Sequence, residues 1–480
     1  MKKFFTVAVI SVCASCFCGS VYAEDAPDAE YLTLDESVAL ALDKNETIDA
    51  SEATRDSSRH QLSAARRASG LNVGWNATAN RIGGGYYRSS RSLYNPGTYD
   101  WGTGSYIKTS DPYVNEFSNT LSAQFPIYSG GLIEGRIKSA GFQSASADLT
   151  LERTRQQVRF QTMQAYYNLL QRQNLLSVAQ NAANNAESQL KLIQIQFEEG
   201  AVPKADVLQM QVQLASYRQD LVTAQGSCDV AMYQLARLVG REGKKIILKD
   251  KLTYEPFPYT LNQAEEFAML RRPDRISATF GIKQAEAQVD VAAAGYKPKV
   301  NASYTRNISD NRPFLRDGRT ETWSAGLNMS MNVFDNAITT ANVDAAKSNV
   351  DRAKANETNI KKTLLLETRS AYAQMKSAET NISASEIAVE QARESYEIAS
   401  VRYDEGVDNL LAVTTAQERL TRAQTNYYNA LYNYNLYKAQ LEYAVGYPVA
   451  IDAAEYENAM KNDPGSANRL NKIEENSKIK

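Results

Sequence analysis

Two side chains of the 480-residue sequence stand alone in kind: His60 is the only histidine, and Cys228 is the only cysteine beyond residue 18. A His/Cys metal site needs three or four such ligands, and a nucleophilic cysteine needs a base beside it. His60 falls on a helix rich in Arg, Ser and Gln, where a solvated or packed imidazole is expected. Gly240-Arg-Glu-Gly-Lys-Lys245 lacks the spacing and the Ser or Thr of a phosphate loop. Ile82-Gly-Gly-Gly-Tyr86 lies between strands rather than ahead of a helix. No catalytic role, cofactor or metal is expected. What does recur is acidic. Phe197-Glu198-Glu199-Gly200 is repeated as Tyr403-Asp404-Glu405-Gly406, 206 positions on. Negative charge in the last turn of a helix opposes the macrodipole by ~0.3–1 kcal/mol per group. Both copies accept that, and the chemistry open to them is electrostatic: clustered negative charge that attracts cations.

The 206-residue spacing extends well beyond these tetrads. Ala165-Tyr166 matches Ala371-Tyr372, Val239-Gly240 matches Val445-Gly446, and FPIYSGGLIEGRIKSA from Phe125 matches MNVFDNAITTANVDAA from Met331. Upstream the offset is larger, with Ile48 matching Ile276 and Asn76-Ala77 matching Asn301-Ala302. The first copy therefore carries 19 extra residues between Arg81 and Phe125, in a stretch rich in Gly, Tyr, Ser and Asn that reads as an exposed loop. Each copy predicts a helix of about 35 residues (33–67; 262–294), two strands, a helix of about 70 (131–199; 337–405), a Gly turn, and a closing helix of about 35 (204–239; 408–445). At ~1.5 Å rise per residue the longest helices span roughly 105 Å, so two short helices end to end match one long one. Six helices then make four rods of a tube wall or long coiled coil. Leu214, Tyr217, Leu221, Ala224, Cys228, Ala231, Leu235 and Leu238 keep a 3-4 spacing, as do their counterparts from Leu420 to Ala444. On that seam Cys228 is expected to be a small packed thiol.

The strands alternate. Leu71, Val73, Trp75, Ala77 and Ala79 are interleaved with Asn and Thr, and the same holds for Phe117–Ile127, Val300–Thr305 and Trp323–Val333. About ten residues of dyad alternation is the pattern of an outer-membrane barrel strand. Four strands cannot close a barrel, and an open edge in lipid is not tolerated, so the chain must share its barrel with copies of itself. Three copies supply twelve strands. Net charge is only −2, with no basic tract among aromatics, which excludes a nucleic-acid partner. Residues 1–23 read as a secretory signal: Lys2-Lys3, an apolar run from Phe4 to Val12, and the cleavage site Val21-Tyr22-Ala23. Lipidation at Cys16 would need an apolar residue at position 13, which is Cys13. Cys13, Cys16 and Cys18 leave with the signal, so no intrachain disulfide is available.

The two repeats, the strand-to-helix joint Phe125-Pro-Ile-Tyr-Ser-Gly-Gly131 and the turn Gly200-Ala-Val-Pro-Lys-Ala-Asp206-Val207 together resemble the TolC family of outer-membrane channel proteins. The resemblance covers nearly the whole chain beyond the signal. It implies a membrane α+β fold: a homotrimer with a 12-stranded outer-membrane β-barrel, four strands per subunit, continuous with a long periplasmic α-helical barrel. It implies a passive exit duct for efflux or type I secretion, docked through a periplasmic adaptor to an inner-membrane transporter. The implied plan is signal 1–23, first repeat 24–240, equatorial linker 241–261, second repeat 262–446, and an equatorial and disordered tail 447–480. The alternative class, an adhesive coiled-coil surface protein, has no need of strand pairs at two equivalent places.

The same resemblance assigns expected sites. Gly130-Gly131 and Asp335-Asn336 are the joints. Gly200, Val207, Gly406 and Leu411 mark hairpin tips that meet the adaptor. Asp206 matches the family's gate acid on the first hairpin and Tyr403 its tyrosine partner on the second. Asp408 stands where the best-known member has an arginine, and Ala412 and Thr415 stand where it has ring aspartates. The inherited aspartate ring is absent, so Glu198, Glu199, Asp404 and Glu405 are expected to make the acidic entrance instead.

Overall fold

The computed structural model describes residues 30–83, 99–100, 105–106, 113–310 and 320–462. The signal at 1–23, most of the inserted loop and the tail beyond 462 lie outside them. Strand β1 (Glu30–Leu32) precedes α1 (Leu34–Lys44), α2 (Glu46–Arg67) and β2 (Asn72–Gly83). Within the inserted segment, β3 (Tyr99–Asp100) pairs with β4 (Ser105–Tyr106). Next come β5 (Tyr113–Tyr128), the long α3 (Leu132–Glu198), α4 (Lys204–Leu238) and β6 (Ile246–Leu248), which pairs with β1. The second copy is α5 (Leu261–Arg271), α6 (Pro273–Ala293), β7 (Lys299–Asp310), β8 (Thr320–Ser330), the long α7 (Ile338–Asp404) and α8 (Leu410–Val445); α9 (Ala453–Asn462) follows.

The first helix of each copy, expected as one piece, is two. Asn45 ends α1, and its side chain accepts the Thr47 N–H at 3.0 Å to start α2. At the matching place in the second copy, Arg272 is extended and Pro273 occupies the first turn of α6, where its missing N–H costs nothing. Both first pieces open with capping boxes, Thr33 with Glu36 and Thr260 with Gln263. The fourth strand also stops at Ser330, short of the expected Val333.

The long helices have 67 residues each, about 100 Å at ~1.5 Å per residue. Against α3 lie α1, α2 and α4; against α7 lie α5 and α8; and α6 and α8 bridge the two long helices. The 3-4 seams are buried or half-buried along their length. Cys228 is half-buried among them, and His60 is exposed.

Two segments wrap the rods at mid-height. Residues 250–255 cross the second copy's side, where Tyr434 donates to the Glu255 carbonyl at 2.6 Å and Asn435 to the Thr253 carbonyl at 3.0 Å. Residues 449–462 cross the first. There Glu152, fully buried, accepts the N–H groups of Val449, Ala450 and Ile451, while Asp148 accepts from Arg59 and from the Tyr456 hydroxyl at 2.8 Å.

The sheet is fully antiparallel in the order β2-β5-β7-β8. Trp75 sits beside Leu121, and Ala302 beside Phe125 and Leu327, so each strand's apolar set shares one face. Trp75, Trp323, Leu327 and Met329 are about 70% exposed on it (72, 70, 73 and 65%). Among the described residues β2 and β8 have no outer neighbour, and no helix is long and apolar enough to cross a membrane.

Candidate functional site: hairpin tips and strand-to-helix joints

At the far end from the sheet, each long helix turns back through a left-handed glycine. Gly200 has φ 78° and Gly406 φ 70°. In both turns the next residue closes the helix from behind: Ala201 N–H bonds the Gln196 carbonyl and Val407 N–H the Arg402 carbonyl, each at 2.8 Å. No atom stands within 4 Å of a Cβ at either glycine, so conformation alone selects them. Glu198, Glu199, Asp404 and Glu405 are all exposed around these turns.

The hairpins meet through an apolar seam of Ala186, Ile193, Val207, Met210, Leu410 and Val413. Val207 is buried in this seam, whereas Leu411 is 61% exposed. Tyr403 is 7% exposed, and its hydroxyl donates to Gln196 Oε1 at 3.3 Å. Burial pushes that hydroxyl's pKa up, and the nearby carboxylates of Asp206 and Asp404 add to the shift. Asp206 thus acts on Tyr403 through its field, and the hydrogen bond goes to Gln196. Asp408 lies two residues before α8, within reach of its first turn. Asn409 caps that helix instead, accepting the Ala412 N–H at 3.1 Å, and Asp408 pairs with Arg402 at 3.3 Å. The charge reversal relative to the resembled pattern is thereby balanced within one turn. Ala412 and Thr415 line an open groove between α7 and α8, flanked by Arg402 and Arg419.

Higher on the same seam, polar pairs join α3 to α8: Asn185 to Gln417 at 3.2 Å and Gln171 to Asn429 at 2.7 Å. Sequence reading missed these and Gln196. Their signal is an amide recurring where the seam otherwise runs apolar.

The two joints share one backbone. Gly130 and Gly131 have φ 69° and 93°; Asn336 and Ala337, 206 positions on, have φ 51° and 64°. The preceding residue caps the helix in both. Ser129 Oγ accepts the Ile133 N–H at 3.1 Å, and Asp335 Oδ2 accepts the Thr339 N–H at 2.9 Å and its hydroxyl. These bonds hold the Asp335 carboxyl below its usual range. Ala337 carried no glycine-like signal and was not expected in this role. Among the described residues no group of three or more His, Cys, Asp or Glu is placed to hold a metal.

The family profile described as "Outer membrane efflux protein" matches residues 38–241 and 266–447. The alkaline protease secretion protein AprF of Pseudomonas aeruginosa is 24% identical over 353 residues, covering 72% of each chain. The outer membrane protein TolC of Escherichia coli is 24% identical over 325 residues, covering 64% of each. In fold, the chain is similar to the Campylobacter jejuni CmeC outer membrane channel, with TM-score 0.73 at 20% identity over 90% of this chain and 89% of that one. VceC of Vibrio cholerae gives TM-score 0.69 at 19% identity, over 86% and 96%.

Proposed function

Because the chain belongs to the outer membrane efflux protein family, we propose that three copies form one passive exit duct spanning the outer membrane and the periplasm. That the protein is an outer-membrane channel component reaching into the periplasm follows from membership itself. The finer reading rests on one observation: a four-stranded antiparallel sheet with one exposed apolar face and two free edges runs straight into helices of about 100 Å. Strands β2 and β8 run in opposite senses, so β8 of one copy meets β2 of the next antiparallel, and the ring closes without an edge. Three copies give twelve strands above and twelve rods below.

In this reading residues 1–23 direct export, residues 24–240 and 262–446 are the two repeats, and 241–261 with 447–462 form the girdle. An inner-membrane transporter and a periplasmic adaptor supply the energy and the cargo; the adaptor meets the hairpin tips, where Leu411 offers the exposed apolar contact and Gly200, Gly406 and the buried Val207 set the shape. Tyr403, Asp206 and the Arg402–Asp408 pair hold the entrance closed. Glu198, Glu199, Asp404 and Glu405 favour cations there.

Purified protein in planar bilayers should give discrete, cation-preferring channels. Asp206→Ala or Tyr403→Phe should raise the closed-state conductance, and neutralising the four acids should remove the preference. A protein that forms no channel would end the reading; unchanged selectivity after neutralisation would end the acidic-mouth assignment.

A further inference from the structure

The exposed face of the sheet is not apolar from end to end. The strand registers place Trp75, Leu121, Arg306 and Trp323 in one row across the four strands. Between that row and the joints the face is apolar or aromatic, with Phe125, Ala302, Tyr304 and Leu327 upon it. In the other direction charge appears. Glu321 stands in the next row, Asp310 in the row after it, and Arg81 in the row beyond that. Arg306 donates from Nε to Glu321 at 2.8 Å, and Arg81 donates from Nε to Asn115 at 2.8 Å. Arg81, Arg306 and Glu321 are exposed, whereas Asp310 is buried. Among the described strand residues, the exposed charge of this face is therefore two guanidiniums against one carboxylate.

A charge on the lipid side of a barrel strand is disfavoured at mid-depth and tolerated near the interface, where tryptophans collect. The Trp75–Trp323 row is then the aromatic girdle remote from the helices, and the two arginines stand in the headgroup layer of the outer leaflet. Asn115 lies six residues beyond Leu121, so at ~3.4 Å per residue and a tilt of ~40° the arginines differ in depth by roughly 15 Å. The headgroup layer of a phospholipid is only about 6 Å deep. One lipid that meets both levels needs an anionic group at the girdle and a head that rises well above it, which sugars supply. A guanidinium fits phosphate through paired N–H groups. Glu321 can only accept when ionised, which suits a sugar hydroxyl or amide N–H beside that phosphate.

We propose that this face binds a phosphorylated glycolipid of the outer leaflet, with Arg306 on a phosphate of its innermost sugars, Glu321 on a neighbouring hydroxyl or amide, and Arg81 on anionic groups of the outer sugars. The site rests on the reading that this face meets lipid.

Native mass spectrometry of the detergent-extracted, delipidated protein tests it. The probes are rough lipopolysaccharide, the same glycolipid after removal of its phosphates, and phosphatidylethanolamine. Wild type should retain the phosphorylated glycolipid several-fold better than either of the others; equal retention, or a preference for phosphatidylethanolamine, overturns the proposal. Arg306→Gln and Arg81→Gln should each lower that retention several-fold, and Arg306→Lys should restore part of it. Glu321→Gln separates binding from bracing, because it breaks the ion pair but keeps an acceptor. Retention at or above the wild-type level is expected; a loss equal to that of Arg306→Gln would mean that the arginine only braces β7 against β8. Recordings of the same samples in phospholipid bilayers keep the two readings apart. A variant that conducts normally yet loses the glycolipid supports the site. Wild type that retains the glycolipid without conducting would contradict the channel reading and leave the site standing.

Discussion

The two strand-to-helix joints solve one geometric problem with different residues. In the first, two glycines take the left-handed conformation and Ser129 caps the helix; in the second, Asn336 and Ala337 take it and Asp335 caps. The left-handed region costs a residue with a Cβ ~1–2 kcal/mol, so the second joint carries strain that the first does not. The first has a steric demand as well. A Cβ on Gly130 would lie 3.0 Å from Lys297 Cβ and 3.3 Å from the carbonyls of Ala294 and Pro298. The repeat therefore preserves backbone shape and capping logic while side chains drift to meet local packing.

The girdle extends the contrast. Asp148 and Glu152 of the first copy are buried beneath the C-terminal segment, while their counterparts Lys354 and Thr358 are exposed. The largest effect should come here. Glu152→Ala removes the acceptor of three backbone N–H groups and should cost about 3 kcal/mol. Thr358→Ala should stay within ~0.5 kcal/mol. Thermal unfolding of the assembled protein reads both; equal effects would break the comparison.

The joints should respond with opposite signs. Gly130→Ala should destabilise by about 2 kcal/mol through strain and contact, whereas Ala337→Gly should stabilise by about 1 kcal/mol. Measured side by side, two destabilising substitutions would show that the second joint is not strained.

Acidity should separate the copies more gently. Burial raises the Glu152 and Asp148 carboxyl pKa values, against the bonds that favour their charged forms. The folded state then binds protons more tightly than the unfolded state, so stability from these groups rises as pH falls through their raised folded-state pKa values toward the ordinary 4.5 and 3.8, and is level below them. Protection against hydrogen exchange at residues 449–462, corrected for the intrinsic pH dependence of amide exchange, should rise across that window, and Glu152→Gln should flatten the trend. An unaltered slope would assign it to other groups.

The smallest effect belongs to the tips. Arg402 and Asp408 are partly exposed, at 54 and 31% for their side chains, so Asp408→Asn should change stability by under ~1 kcal/mol. A larger loss would mean that the pair is desolvated in the assembly.

Periodicity made most of the fold legible: the 206-residue offset located both long helices and both Gly turns, and dyad alternation located all four strands. The breaks at Asn45 and Arg272 were written as a cap and a proline, but an apolar rhythm that continues across them masks such local signals. Ala337 was illegible because nothing about alanine announces a positive φ. The seam amides were hidden for another reason: on a coiled-coil face, glutamine and asparagine read as solvated until a facing helix is known. Asp408 and Asn409 are adjacent and both able to cap α8, and the chain uses Asn409.

The central claim is that the four-stranded sheet closes only with two further copies. The mass of the protein extracted intact from outer membranes in mild detergent tests it most directly. Three subunits per particle, collapsing to one on heating, is the predicted result; a particle of one or two subunits that still conducts would contradict it.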